Sequence, residues 1–202
     1  MVRTLLRIYP AAITADAGGW LPLHLATENN APLKVVKTLL EAESTAHRPN
    51  FEGWLPLHFA VEQHSELALV RMLVDAYPDG VRGVTQSPPE RTALHVAARE
   101  RALPEVIAAL LELNPEAARA KDGDGCLPLH LLFAAPCDGP AMGRDVSTEQ
   151  VRLLLDANPQ AAREPDDNGD LPLHLAASGS LPVVAILLDA YPSAYKSSLT
   201  MA

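Results

Sequence analysis

Histidine is the chemically versatile residue that this sequence repeats at regular positions. Five of its seven histidines stand fourth in a recurring hexapeptide, which reads LPLHLA at 21–26, LPLHFA at 55–60, TALHVA at 92–97, LPLHLL at 127–132 and LPLHLA at 171–176. Imidazole nitrogens bind metals and transfer protons near neutral pH. These histidines are His24, His58, His95, His130 and His174, spaced 34, 37, 35 and 44 residues apart.

Each hexapeptide begins a helix, since proline follows its first residue in four of the five copies. Proline is favoured at the first helical position, where its missing N–H costs no hydrogen bond. A second apolar segment follows every hexapeptide, and in the last copy Leu181, Val184 and Leu188 share one helical face. The second segments are 33–42, 67–76, 104–113, 148–157 and 181–190. The sequence therefore predicts a repeated helix–turn–helix unit of about 34 residues.

Polar turn segments connect these units. Tyr-Pro or Asn-Pro pairs end the second helices, because the residue before a proline is disfavoured in a helix. Asp or Asn then stands five residues before the hexapeptide, and Gly two residues before it, in four copies. Asn168-Gly169 is a dipeptide typical of a two-residue hairpin loop. We expect hairpin-like fingers at these turns, whose paired residues are Asp16 with Gly19, Asn50 with Gly53, Asp122 with Gly125, and Asp166 with Gly169.

The combined pattern, D-x-x-G-x-[T/L]-P-L-H-x-A followed by V-V-x-x-L-L, resembles the ankyrin repeat. The resemblance covers nearly the whole chain. It implies an all-α solenoid of helix-turn-helix units with β-hairpin-like fingers and a concave surface that binds other proteins. We interpret residues 1–202 as a single array, with a partial repeat at 1–15 and repeats at 16–49, 50–86, 87–121, 122–165 and 166–202.

The first residue of the hexapeptide departs from the family pattern. The family's threonine is kept only at Thr92, and leucine replaces it in the other four copies. A threonine there caps the helix through its side chain, an interaction worth about 1 kcal/mol. We therefore expect these repeats to be less stable than consensus repeats.

The distance between packed helices argues against a metal site shared by the repeated histidines. Packed helices lie about 8–10 Å apart, whereas a zinc ion lies about 2.0–2.1 Å from each nitrogen that binds it. We expect the imidazoles to bond to finger backbone between repeats instead. Cys126 and His130 have the spacing of a helical metal pair, but Cys126 precedes the helix. We predict no metal.

Other catalytic and binding motifs are missing from the sequence. The acidic runs that start at Asp122 and Asp166 resemble a calcium loop, but their twelfth residues are Phe133 and Ala177 rather than glutamate. The sequence has no nucleophile elbow, phosphate-binding glycine loop or HExxH helix. We predict a non-catalytic protein without a cofactor.

Composition narrows the class of partner. The chain holds 25 acidic and 16 basic residues, and its net charge of −9 disfavours binding to nucleic acid. No apolar run is long enough to span a membrane, and no signal-peptide pattern begins the chain. Two cysteines, Cys126 and Cys137, are too few for a disulfide framework. We predict an intracellular, cytoplasmic protein that binds another protein.

The family resemblance implies which residues contact that protein, namely those on the fingers and the exposed ends of the first helices. Trp20 and Trp54 occupy the same finger position in adjacent repeats, which suggests an interface hot spot. The alternative is that each indole packs on the neighbouring finger and stiffens the array. The candidate partner-binding residues are Trp20, Glu28, Phe51, Trp54, Glu62, Gln63, Arg91, Arg99, Asp124, Asp167 and Asp170.

Three questions stay open at this point. Residues 3–9 align with the end of a second helix, which suggests either further repeats or self-association at the N-terminal end. The Gly- and Pro-rich insertion at 136–147 is either a passive spacer or a functional loop. The array could also be the regulatory or targeting module of a larger enzyme or channel.

Overall fold

A computed structural model describes residues 19–42, 46–63, 66–134 and 145–191 of the chain. The partial repeat expected at 1–15 lies outside the described residues. So does the expected insertion at 136–147, except for its last three residues.

Helices make up the architecture, and they come in pairs along the chain. A first helix begins at each hexapeptide and a second helix follows it. The first helices are α1 (Pro22–Glu28), α3 (Pro56–Glu62), α5 (Ala93–Arg99), α7 (Pro128–Phe133) and α9 (Pro172–Leu175). The second helices are α2 (Leu33–Ala42), α4 (Leu67–Ala76), α6 (Pro104–Leu113), α8 (Thr148–Ala157) and α10 (Leu181–Ala190). Among the described residues the only β pairing outside the helices is a single bridge between Val84 and Thr92.

The helices form a solenoid, because each helix packs on its counterpart in the next pair. First helices contact first helices from α1 to α9, and second helices contact second helices from α2 to α10. Small residues allow the first helices to approach closely, and Ala60 and Ala97 are fully buried at the end of their hexapeptides. The second helices bury one aliphatic face, which includes Val36, Ile107 and Val151.

The face predicted for the last copy is wrong: Leu181 is 85% exposed and Val184 and Leu188 are half-buried. The buried side chains of that helix are Val183 and Leu187 instead.

The prolines after helices α4 and α6 start a further element that the sequence did not predict. Short 3-10 helices follow two of the stops directly, at Pro78–Arg82 and Pro115–Arg119, and a third lies at Ala161–Arg163. Proline suits the first position of this turn for the same reason that it suits an α-helix.

The asparagines of the Asn-Pro pairs also connect repeats. The Asn114 side-chain amide donates to the Val81 carbonyl at 3.3 Å, and the Asn158 amide donates to the Ala118 carbonyl at 3.1 Å. Each bond reaches back to the 3-10 helix of the preceding repeat. These residues therefore tie neighbouring repeats together as well as ending a helix.

The leucines that replace the family's threonine are core residues. Leu21, Leu55 and Leu127 are at most 5% exposed, whereas Leu171 is half-buried. None of the four leucines makes a side-chain cap, and the Thr92 hydroxyl accepts a long 3.4 Å bond from the His95 N–H. Full burial of a leucine side chain is worth about 1.5–3 kcal/mol, more than the roughly 1 kcal/mol of a cap. The expected instability therefore does not follow where the leucine is buried.

The difference in burial predicts unequal losses of stability for the same substitution at two equivalent positions. Leu127→Thr should lower the free energy of unfolding by about 2 kcal/mol, because the apolar burial that is lost exceeds any cap that is gained. Leu171→Thr should change it by less than about 0.5 kcal/mol. Urea unfolding followed by circular dichroism measures both. Equal losses at the two positions would contradict the burial argument.

Candidate functional site

Each repeated histidine closes the start of its own first helix. Its Nδ1 atom accepts a hydrogen bond from the backbone N–H three residues earlier, at 3.0–3.2 Å in all five copies. A nitrogen that accepts cannot carry the proton, so the neutral ring holds its proton on Nε2. The histidine thus satisfies the backbone N–H of the N-cap residue, which is one half of a capping box. It does not replace the other half, the bond from the histidine's own N–H to a threonine side chain.

The opposite nitrogen of the ring reaches the next repeat. In three copies Nε2 lies within hydrogen-bond distance of a backbone carbonyl of the following finger or of the segment leading to it. The pairs are His24 with Trp54 (3.1 Å), His58 with Gly83 (3.3 Å), and His95 with Ala120 (3.0 Å) and Cys126 (3.2 Å). The described residues contain no group of three or more His, Cys, Asp or Glu side chains arranged to hold a metal ion.

Burial favours the neutral form of three of these imidazoles, those of His58, His95 and His130. It lowers the pKa of His58 to about 4, although the bond to the Gly83 carbonyl partly offsets it. Burial also lowers the pKa of His95 and of His130, in each case against the attraction of a nearby aspartate. A neutral ring is required for Nδ1 to accept and Nε2 to donate at the same time.

The fingers are turns anchored by a buried side chain at their first residue. Asn50 Oδ1 accepts from the backbone N–H groups of Glu52 and Trp54 at 3.0 and 2.8 Å. Asp122 and Asp166 accept from the corresponding two N–H groups of their own fingers. The backbone N–H of Asp166 also donates to the Asp170 carbonyl, so three residues separate the paired positions. The two-residue loop expected at Asn168-Gly169 is therefore wrong in length.

Successive fingers stack closely on one another. The Asp167 N–H donates to the Asp124 carbonyl at 3.3 Å, and the Gln86 N–H donates to the Glu52 carbonyl at 2.8 Å. Gly125 has a φ of +70°, and Asp167 occupies the space where a Cβ would lie. Glycine is required here both by its backbone conformation and by the approach of the next finger.

The third finger, residues 85–91, replaces the usual anchor with Thr85. The Thr85 N–H donates to the Arg91 carbonyl, and its hydroxyl accepts from the Arg91 N–H, both at 2.9 Å. Arg91 then extends to the fourth finger, where its Nε lies 3.2 Å from Asp122 Oδ2. Their side chains are 13% and 0% exposed. Arg91 was predicted to contact a partner, and the structure places it in an internal ion pair.

Aromatic side chains cluster where the first two repeats meet. The Phe59 ring lies between Trp20 and Trp54, with centroid distances of 4.8 and 5.0 Å. Phe59 is only 6% exposed, while both indoles are half-buried. Phe51, on the second finger, is 77% exposed. Each tryptophan therefore packs on Phe59 of helix α3, not on a neighbouring finger as the alternative proposed, and also keeps part of its surface accessible.

Acidic side chains lie at the far ends of the same first helices. Glu28 and Glu62 are half-buried, and Glu100 is 7% exposed. Burial raises the pKa of Glu62, the nearby Glu100 and Glu28 carboxylates raise it further, and Gln63 and Arg99 partly offset the shift. Burial also raises the pKa of Glu100 and lowers that of Arg99.

The other predicted residues lie farther along the row of fingers. Asp124 and Asp167 are exposed, and Asp170 is half-buried with its carboxylate 3.4 Å from His174. The eleven candidates thus spread from Trp20 to Asp170 and do not converge on one centre. Sequence reasoning overlooked Phe59, although only this copy has phenylalanine at the fifth hexapeptide position.

The lowered histidine pKa values predict a loss of stability in mild acid. Unfolded His58 binds a proton below its ordinary pKa of 6.5, whereas the folded residue resists it until about pH 4. The unfolded state therefore binds more protons in that window, and stability falls as the pH falls through it. We expect His58 to contribute about 2 kcal/mol of loss between about pH 7 and pH 5.

Urea unfolding at several pH values tests this contribution. His58→Gln should make the decline with pH shallower, because the glutamine side chain binds no proton in this range. Parallel profiles for the natural chain and the His58 variant would contradict the prediction.

The ion pair of the third finger predicts a large stability effect at Arg91. Arg91→Ala should lower the free energy of unfolding by about 3 kcal/mol, because the Asp122 carboxylate then stays buried without its cation. The double variant Arg91→Leu/Asp122→Asn should recover most of the loss, since Asn50 anchors its finger without a cation. Thermal unfolding followed by circular dichroism distinguishes them, and failure of the double variant to recover would count against the ion pair.

Two family models match parts of this chain. No described helix is long and apolar enough to cross a membrane. The family model described as ankyrin repeats in three copies matches residues 1–83, and the model described as an ankyrin repeat matches residues 168–196. No curated protein matches the chain. With the paired helices, their stacking and the repeated hexapeptide, these matches show that the chain belongs to the ankyrin-repeat family.

Proposed function

We propose that this chain is a non-catalytic scaffold that binds a protein partner through its fingers and the ends of its first helices. Ankyrin repeats generally mediate binding between proteins, and proteins built from them are typically not enzymes. The proposal treats residues 1–202 as one array. It places the chain in the cytoplasm, where the free thiol of Cys126 suits a reducing environment.

One observation carries the proposal, namely that the repeated side chains are engaged internally while variable residues on the fingers, such as Phe51 and Asp124, remain accessible. The anchors Asn50, Asp122 and Asp166 bond to their own fingers, and the histidines bond to backbone. Phe51 and Asp124, between those anchors, are exposed. The repeated side chains therefore fix the positions of the variable finger residues, and the fold does not depend on the side chains of Phe51 and Asp124.

Rigidity supports binding at this surface. Fingers that are bonded to one another and anchored by buried side chains are ordered before a partner arrives. A preordered surface loses less conformational entropy on binding, and more of its contact energy appears as affinity. The half-buried indoles fit the same scheme, because their packing on Phe59 fixes their orientation.

Site-specific photo-crosslinking tests which face binds. A photoreactive amino acid placed at Phe51 or Asp124, in the full chain and in lysate of the source cells, should crosslink to the same protein. The same group at Glu112 or Arg152, exposed on second helices, should not. Crosslinks only from the second-helix positions would refute the finger surface, and thermal unfolding of each variant controls for misfolding.

A further inference from the structure

We infer that the N-terminal part of this surface binds a basic, extended peptide segment of the partner, with an arginine or lysine next to an apolar residue. The inference rests on the proposed function and adds the chemistry of the partner. The surface in question, termed the aromatic–acidic patch, consists of Trp20, Leu25, Glu28, Trp54 and Glu62.

The aromatic end of the patch offers apolar contact area. Trp20 and Trp54 are held against Phe59 and keep part of each indole accessible. Leu25, at the hexapeptide position of Phe59 in the preceding repeat, is 48% exposed. Oriented indoles are frequent contributors to binding energy, and they also attract arginine and lysine through their ring faces.

The acidic end of the patch lies one short helix away. Helix α1 separates Trp20 from Glu28, and α3 separates Trp54 from Glu62. A helix of this length spans about 10 Å, which about three residues of extended chain also cover. One extended segment can therefore contact an indole with one side chain and a carboxylate with another.

The charge of this region has one sign. Residues 19–31 and 50–63 contain the carboxylates Glu28, Glu52 and Glu62 and no lysine or arginine. None of the ion pairs among the described residues involves Glu28 or Glu62.

Burial is the main cause of the raised pKa of Glu62, and repulsion from the Glu100 and Glu28 carboxylates raises it further, while Gln63 and Arg99 partly offset the shift. A cationic side chain of a partner would relieve that repulsion.

Helix polarity adds to the same effect. Glu28 and Glu62 are the last residues of α1 and α3, and the C-terminal end of a helix carries partial negative charge. In the third repeat Arg99 occupies the corresponding position, and Arg101 follows it. The charge at this end of the first helix is therefore negative in the first two repeats and positive in the third. The basic residue of a bound peptide accordingly lies against the first two repeats.

Selection from a library of random linear peptides displayed on phage, with the full chain immobilised, tests the inference. Enriched sequences should carry arginine or lysine next to an apolar residue. Fluorescence polarisation with the synthetic peptides should give binding that weakens by about fivefold for Glu62→Gln and by about tenfold or more for Glu28→Gln/Glu62→Gln. Added salt should weaken binding to the natural chain more than to the double variant.

Two control variants and four contrary results complete this test. Glu112→Gln and Glu149→Gln, at exposed second-helix positions, should leave the affinity unchanged. Enrichment of peptides without basic residues, enrichment of none, or equal affinity for the double variant overturns the inference. If neutral peptides bind and Phe51→Ala weakens that binding, the proposed function is supported but the inference of a basic partner is wrong. Peptide binding that is unaffected by changes at 28, 51 and 62 but is weakened by changes at 112 or 149 contradicts both the inference and the proposed function.

Discussion

A neutral, buried histidine bonded on both sides is the interaction on which the rest of the array depends. One nitrogen closes the start of a helix and the other reaches the backbone of the next repeat, so a single ring couples local structure to stacking. The coupling requires low accessibility, because a charged ring could no longer accept at Nδ1. The surrounding leucines and alanines therefore determine the ionisation of the histidine as well as the packing of the core.

Sequence predicted the framework well because its determinants are local and repeated. The proline at the start of each first helix, the aliphatic stripe of the second, and the glycine of each finger act within a few residues of their own position. Thr85 was missed because it replaces Asn or Asp and its finger is longer than the others. The 3-10 helices were missed because proline was interpreted as a stop, although it can also begin a new turn.

The candidate binding residues were harder to predict, because their roles depend on contacts between repeats. Arg91 and Asp122 are 31 residues apart, and nothing near either one indicates their ion pair. Trp20 and Trp54 share a finger position, but the phenylalanine that orders them is fixed only by stacking. Sequence periodicity thus locates the surface, whereas three-dimensional contacts decide which of its side chains remain accessible to a partner.

The fourth histidine differs from those before it. His130 Nε2 is buried, and it has no hydrogen-bond partner within the described part of the chain, although the Glu164 and Asp170 carbonyls face it outside bonding geometry. The next first helix, α9, is only four residues long. In a stacked array each junction contributes its own cooperativity, and the weakest junction opens first. We therefore expect amide hydrogens beyond this junction to exchange with solvent through local opening, and to do so faster than those of the central repeats.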